Sequence, residues 1–161
     1  MNYMKLIKLL YLADRGALLN WGRPMSGDRY FWMKLGPVLS EVHDLITEMS
    51  PPDEPTFWSQ CISAATDFVV ELKKDPGDEE LSRAEQKLIG EVFSSYGDYK
   101  PFDLVRLLHK ILPERKEIQS GRIPIEYREI LQAADKSPED VEEIESELDS
   151  LRLIESVLQT G

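Results

Sequence analysis

Apolar residues at helical spacing mark the beginning of the chain and its last quarter. From residue 3 to residue 20 they recur every three or four positions and predict a first helix, whose broad apolar stripe suits packing on more than one side. Lys5, Lys8 and Arg15 are placed outside that stripe. After Pro138 the same spacing predicts a long helix at about 138–159. Its apolar positions are Val141, Ile144, Leu148, Leu151, Ile154 and Leu158.

Shorter helices are predicted between these two. The pattern Ser-x-x-Glu at residues 82–85 is a capping box ahead of an apolar helical pattern, and Gly97 ends that helix. Pro101 begins the next helix, and Pro113 closes it. A break at Gly121 to Pro124 precedes a short helix that is predicted to run from Pro124 to residue 134.

Alternation of period two marks one central stretch, residues 29–35, which is aromatic, apolar and free of helix or strand breakers. The alternation places Phe31, Met33 and Leu35 on one face and Tyr30, Trp32 and Lys34 on the other. The Gly-Pro pair at 36–37 is predicted to stop this strand and to start a helix. The stretch is therefore predicted to be a strand that leads directly into a helix.

A second pair of extended segments is predicted at residues 57–62 and 67–73, with a turn at Thr66 and Asp67. Placed beside strand 29–35, this hairpin would complete a small sheet. We therefore expect an α+β, mainly helical fold of five to six helices with a two- or three-stranded antiparallel sheet. Since no internal repeat or second core is found, residues 1–161 are predicted to form a single domain that ends in an acidic helix.

The charge of the chain argues against a nucleic-acid partner. The net charge is −11, and residues 135–155 hold nine acidic groups against Lys136 and Arg152. Such a surface repels phosphate. No apolar run approaches the ~20 residues of a membrane-spanning helix, so no membrane association is expected. A single cysteine, Cys61, favours a reducing, cytoplasmic location.

Candidate chemistry is sparse. The chain has two histidines, His43 and His109, and it lacks metal-ligand spacings and glycine-rich phosphate loops. A pairing of Cys61 with His109 is conceivable, but isolated histidines on helices are more often surface or core residues. We therefore predict no catalytic, cofactor-binding or metal-binding residues and no enzyme activity.

Two interpretations of the face that carries Tyr30, Trp32 and Lys34 remain open. If this face is exposed, its aromatic side chains suit a protein–protein contact, because Tyr and Trp dominate binding energy at interfaces. Alternatively, helices cover both faces of the sheet, and Tyr30 and Trp32 belong to the core, as large aromatic residues usually do.

Two sequence blocks resemble the Panacea domain family, the SocA-like antitoxins. The first block consists of KLIKLLYLADR followed by WGRPMSGDRYFWMKLGPVLSEVHDL, and the second is LSRAEQKLIGEVFSSYGDYKPFDLVRLLH, which ends at His109. The likeness spans about residues 4–117. Family members usually have a further helix before the first block and a Trp near the position of Arg115, and this chain departs from both features.

The resemblance implies a bacterial or phage antitoxin that neutralises a cognate toxin by direct binding. In one branch of the family the antitoxin also acts as a proteolysis adaptor that hands the toxin to an ATP-dependent protease. No catalytic residues or cofactors come with the family. Tyr30, Trp32, Lys34 and His109 are the predicted partner-binding residues, and homo-oligomer formation is left open.

The alternative function is a small helical DNA-binding transcriptional regulator. A regulator of this kind needs a helix with clustered Lys and Arg to neutralise phosphates. The first helix comes nearest with Lys5, Lys8 and Arg15, which is too few. The charge pattern therefore favours the antitoxin.

Overall fold

The structure, a computed structural model that describes residues 1–47 and 55–160, contains seven helices and three strands within those residues. The helices are α1 (Tyr3–Trp21), α2 (Ser40–Thr47), α3 (Phe57–Cys61), α4 (Arg83–Tyr96), α5 (Pro101–Ile111), α6 (Tyr127–Ala133) and α7 (Pro138–Thr160). The strands are β1 (Tyr30–Met33), β2 (Gly36–Leu39) and β3 (Arg122–Ile125). The predicted α+β, mainly helical fold with a small antiparallel sheet is confirmed.

Helix α1 is the central element of the fold. The side chain of Asn2 caps it by accepting a hydrogen bond from the Lys5 amide, and Gly22 ends it. It packs against α2, α4, α5, α6 and β2. The broad apolar stripe predicted for this helix is thus explained by neighbours on several sides, with Tyr11, Ala17 and Leu18 fully buried.

The sheet has the order β2-β1-β3, and both pairings are antiparallel. Strands β1 and β2 form a hairpin in which Tyr30 pairs with Leu39 and Met33 with Gly36. The predicted strand does end before the Gly-Pro pair, since β1 stops at Met33. The prediction that this pair starts a helix was wrong, because both residues belong to β2 and the helix begins at Ser40. Pro37 is tolerated since β2 is an edge strand, where a missing N–H can point away from the ladder.

The third strand comes from a part of the chain for which a break and a helix were predicted. Arg122–Ile125 is β3, and it pairs with the free side of β1, Tyr30 opposite Ile125. Pro124 is again on an edge strand, so it does not begin a helix; α6 starts at Tyr127 instead.

The segment predicted as the other half of a hairpin is only partly extended. Phe57–Cys61 is a helix capped by the Thr56 side chain, not a strand. Beyond it, isolated bridges join Ile62 to Leu72 and Thr66 to Val69. A turn therefore does lie in this segment, one residue later than predicted, at Asp67 and Phe68. The residues beside it are bridged to the N-terminus, Asn2 to Val69, and do not pair with β1.

The remaining helices follow their sequence signals. The capping box of Ser82 and Glu85 is formed at the start of α4, and Pro101 is the first residue of α5. Helix α7 begins at Pro138, where the Ser137 hydroxyl oxygen accepts a hydrogen bond from the Asp140 amide. Its apolar stripe is buried only in the first half, since Val141 and Leu148 are in the core. The outer half is exposed at Leu151, Ile154 and Leu158.

Candidate partner-binding site

Tyr30 and Trp32 lie in the core. Tyr30 is 2% exposed and Trp32 is 0% exposed. The Tyr30 ring packs between the rings of Tyr11 and Tyr127, and the Trp32 ring meets the His109 ring edge-on at 5.1 Å between centroids. The interpretation in which this strand face is covered is therefore confirmed, and the interpretation in which these aromatics are exposed is wrong. In this structure neither residue can contact a partner directly.

Asp14 connects α1 to the loop that leads into the hairpin. Its carboxylate accepts hydrogen bonds from the amides of Met25 and Ser26, both at 2.8 Å, and from the hydroxyl groups of Ser26 and Tyr30. The side chain is buried but fully partnered, so its burial is compensated. Burial and the Asp14 carboxylate together raise the pKa of Tyr30, which keeps this phenol a hydrogen-bond donor.

Asp28 holds the start of α2 in the way that Asp14 holds the loop before the hairpin. Its carboxylate accepts from the amides of Arg29, Glu41 and Val42 and so caps the N-terminus of that helix. Tyr127 adds a bond from its hydroxyl to the Asp28 carbonyl at 2.7 Å. Asp14 and Asp28, which both belong to the first sequence block, are thus structural residues that hold the hairpin and α2 on α1.

Glu114 is a third buried carboxylate, and it anchors the segment after α5. It accepts from the Tyr11 hydroxyl at 2.7 Å and pairs with the Arg15 guanidinium at 2.6 Å. Burial and the charge of Glu114 raise the pKa of Tyr11. Arg15, placed outside the apolar stripe of α1 from sequence, is therefore a half-buried residue that bridges α1 to the buried Glu114.

A cavity of about 410 Å³ opens beside the start of α1, and we call it the Lys8 cavity. The β1–β2 turn, α2 and the first turn of α5 complete its walls. Its lining is mostly apolar and includes Tyr3, Ile7, Met33, Leu35, Phe68 and Phe102. Three of these side chains stay exposed at its rim: Leu35 at 42%, Phe68 at 67% and Phe102 at 59%.

Phe68 reaches the rim on a turn whose backbone is unfavourable for it. Asp67 and Phe68 form a two-residue turn between the mutually bonded Thr66 and Val69, and both have positive φ, 50° and 64°. A turn of this kind usually carries Asn-Gly or Asp-Gly, and a positive φ costs an L-residue roughly 1–2 kcal/mol. This strained turn places a large aromatic side chain in solvent. The ring centroid of Phe68 lies 5.9 Å from that of Tyr3.

Lys8 lies at the inner wall of the cavity and is only 2% exposed. Its ammonium group donates to the Pro37 carbonyl at 2.7 Å. Burial lowers the pKa of Lys8 to about 7. The prediction that Lys8 lies outside the packed face of α1 was therefore wrong, because the long apolar stem carries the charged end into the interior beside the hairpin.

The other two predicted partner-binding residues lie at or next to the Lys8 cavity. Lys34 is exposed and forms part of the lining. His109 is half-buried beside Gly36, where a Cβ atom on that glycine would be 3.7 Å from both His109 Nε2 and Lys8 Cε. Burial and the neighbouring charge of Lys8 lower the pKa of His109. Periodicity alone gave no signal for Phe68, Phe102 or Lys8.

The part of the chain that the structure describes contains neither a cluster of metal ligands nor a membrane-spanning helix. Those residues include no group of three or more His, Cys, Asp or Glu side chains placed to hold a metal ion. None of the described helices combines the length and the apolar character that crossing a membrane requires.

The structure is thus mainly helical, with an open, mostly apolar cavity and with internal carboxylates that are all partnered. The family model described as antitoxin SocA-like, Panacea domain, matches residues 6–112, which include most of α1, the β1–β2 hairpin, α4 and α5. The chain belongs to this antitoxin-like family. No curated protein and no solved structure matches the chain significantly.

Proposed function

We propose that this protein is an antitoxin that neutralises a partner toxin by direct binding, and that the Lys8 cavity with its rim is the contact surface. The observation that carries the proposal is the exposure of Leu35, Phe68 and Phe102 around one concavity. Contiguous exposed apolar surface on a soluble domain marks an interaction site. Membership of the antitoxin-like family supplies the kind of partner.

The local charge also supports the choice of the Lys8 cavity as the contact surface. Among the described lining residues, the charged or chargeable groups near neutral pH are Lys8, Lys34 and His43, all of them basic. The chain as a whole carries a net charge of −11, so the cavity differs in sign from the rest of the molecule. Such a contrast orients an acidic partner surface toward one face during encounter. Of the residues predicted from sequence, Lys34 would make direct contact, and His109 would support the cavity from behind Gly36.

The proposed mechanism is stoichiometric binding without catalysis. Delivery of the bound toxin to an ATP-dependent protease is compatible with the same contact. Neutralisation and delivery are distinguishable, because only delivery shortens the lifetime of the toxin. A DNA-binding regulator has no specific observation in its favour.

Growth rescue tests the proposal. The product of the adjacent reading frame is expressed alone and together with this protein, and growth, co-purification and toxin lifetime are measured. We expect the parent protein to restore growth and to co-purify in a fixed ratio. The double variant Phe68→Asn, Phe102→Ser should lose both effects while melting like the parent, since Asn tolerates the positive φ of the turn.

Phe93→Ser provides the matched control, because Phe93 is 54% exposed on α4 and does not line the cavity. This variant should rescue like the parent. Full rescue by the double variant would disprove the proposed surface. Failure of the parent to rescue growth against the co-encoded protein would disprove the antitoxin function.

A further inference from the structure

The Lys8 ammonium is buried with less compensation than its chemistry requires. A lysine head group has three N–H donors and a full charge. Within the described part of the chain, the Pro37 carbonyl is its hydrogen-bond acceptor and no carboxylate pairs with it. A buried charge is ordinarily paired, as Arg15 is with Glu114 in the same helix. Among the described residues, the Lys8 amine therefore has no counter-ion at the wall of this cavity.

Among the residues that the structure describes, no Asp or Glu side chain lines the cavity. Lys34 and His43 add to the positive side of the balance, and His109 lies next to Lys8. Low-dielectric walls around like charges strengthen the local potential. An anionic group would be attracted to this cavity.

The remaining walls select an apolar group. Tyr3, Ile7, Met33 and Val38 surround the inner part of the cavity, and its volume of about 410 Å³ suits one or two residues rather than a whole helix. The anionic and apolar groups must consequently be close together in the ligand. A single C-terminal residue of a protein, with an apolar side chain and a free main-chain carboxylate, meets both requirements.

We propose that the Lys8 cavity binds the C-terminal residue of the partner toxin, with its apolar side chain against Tyr3, Met33 and Phe68 and its carboxylate paired with the Lys8 ammonium. This inference rests on the proposed antitoxin function. It adds the part of the partner that is recognised and the residue that recognises it.

Binding of a carboxylate to Lys8 should depend on pH and should be coupled to proton uptake. With a pKa of about 7, Lys8 is roughly nine-tenths neutral at pH 8 and nine-tenths charged at pH 6. A carboxylate favours the charged form, so binding at pH 8 takes up a proton, and affinity falls roughly tenfold from pH 6 to pH 8. Lys34, His43 and His109 face the same region. Two of these are histidines, whose titration must be separated from that of Lys8 by substitution.

Isothermal titration calorimetry on the full chain tests whether the cavity recognises a C-terminal carboxylate. The two probes are N-acetyl-leucyl-phenylalanine, which has a free carboxylate, and its C-terminal amide, which does not. We expect the acid to bind at least tenfold more tightly than the amide at pH 6. At pH 8 the acid should bind about tenfold more weakly, with an uptake of about one proton in two buffers of different ionisation enthalpy. Equal binding of acid and amide, or no proton uptake, would overturn the proposal.

Variants identify the residue responsible. Lys8→Met should abolish the preference for the acid and the proton uptake. Lys34→Met and His43→Gln, at residues that also line the cavity, should lower the affinity for the acid in part but keep the proton uptake, and His109→Gln should keep it as well. Should Lys8→Met fold poorly, the comparison of acid and amide on the parent protein still decides the result. Loss of proton uptake in either histidine variant, with uptake retained in Lys8→Met, would overturn the assignment.

A second arm uses the toxin itself. Two glycines are added to the C-terminus of the co-encoded toxin, which moves its carboxylate out of reach. Rescue lost for the extended toxin but kept for the original supports the inference. Rescue of both toxins overturns the inference and leaves the antitoxin function standing, whereas rescue of neither disproves the antitoxin function.

Discussion

The burial of Trp32 leads to a prediction whose size follows from the structure. Trp32 is 0% exposed and packs against His109, so Trp32→Ala opens a large cavity in the main core. Substitutions of this kind cost about 3–5 kcal/mol. Trp32 Nε1 has no protein acceptor among the described residues, so the substitution also removes a poorly satisfied donor. We therefore expect a loss of about 3 kcal/mol, near the lower end of that range.

Trp32→Phe is the matched control. It removes the indole N–H and keeps an aromatic ring, so it should cost about 1 kcal/mol. Urea unfolding followed by circular dichroism measures both variants without depending on the fluorescence of the other tryptophans, Trp21 and Trp58. Linear extrapolation then gives the free energy of unfolding in water.

Toxin affinity is measured on the same Trp32 variants. For the folded fraction it should be unchanged, because the side chain does not reach the surface. A loss below about 0.5 kcal/mol for Trp32→Ala would refute the core placement. Weaker toxin binding with unchanged stability would restore Trp32 as a contact residue.

Two further predictions concern Gly36 and Lys8. Gly36 has φ +92°, so Gly36→Val should lower the free energy of unfolding by about 1–3 kcal/mol, and a melting temperature within a degree of the parent would contradict this. For Lys8, the folded pKa of about 7 lies below the ordinary 10.5, so the unfolded chain holds more protons between these values and the stability of the parent should rise with pH across that window. The free energy of unfolding of Lys8→Met should exceed that of the parent by the largest amount below pH 7, and this difference should shrink by about 5 kcal/mol by pH 10.5. A difference that does not change with pH would argue against a buried ammonium.

Local sequence signals predicted the helices well because their determinants are local. The capping box at the start of α4 and Pro101 at the start of α5 act within a single turn. The sheet was predicted less well, because its pairing is non-local. Strand β3 joins β1 from some ninety residues away, and its proline resembles a breaker unless the strand is known to be at an edge.

At the candidate site, too, the features set by local sequence were predicted and those set by tertiary packing were not. Alternation correctly placed Tyr30 and Trp32 on one face of β1, but whether that face is covered depends on α1 and α5, whose docking the alternation does not encode. Lys8 was misplaced because periodicity locates the Cα atom of a lysine and not the end of its long side chain. Phe68 was missed because its exposure depends on a backbone conformation that its residue type disfavours.

The origin of β3 has a consequence for how such domains can be recombined. The family match ends at residue 112, and β3 begins at Arg122. The segment shared with the family therefore contributes two strands, and one side of β1 is completed by a part of the chain outside the match. An unpaired strand side readily adds a strand from another chain. Exchanging the region after residue 112 between relatives would thus replace one edge strand of the sheet. The exchanged region and the residues before it would need to be selected together so that β1 and β3 still pair.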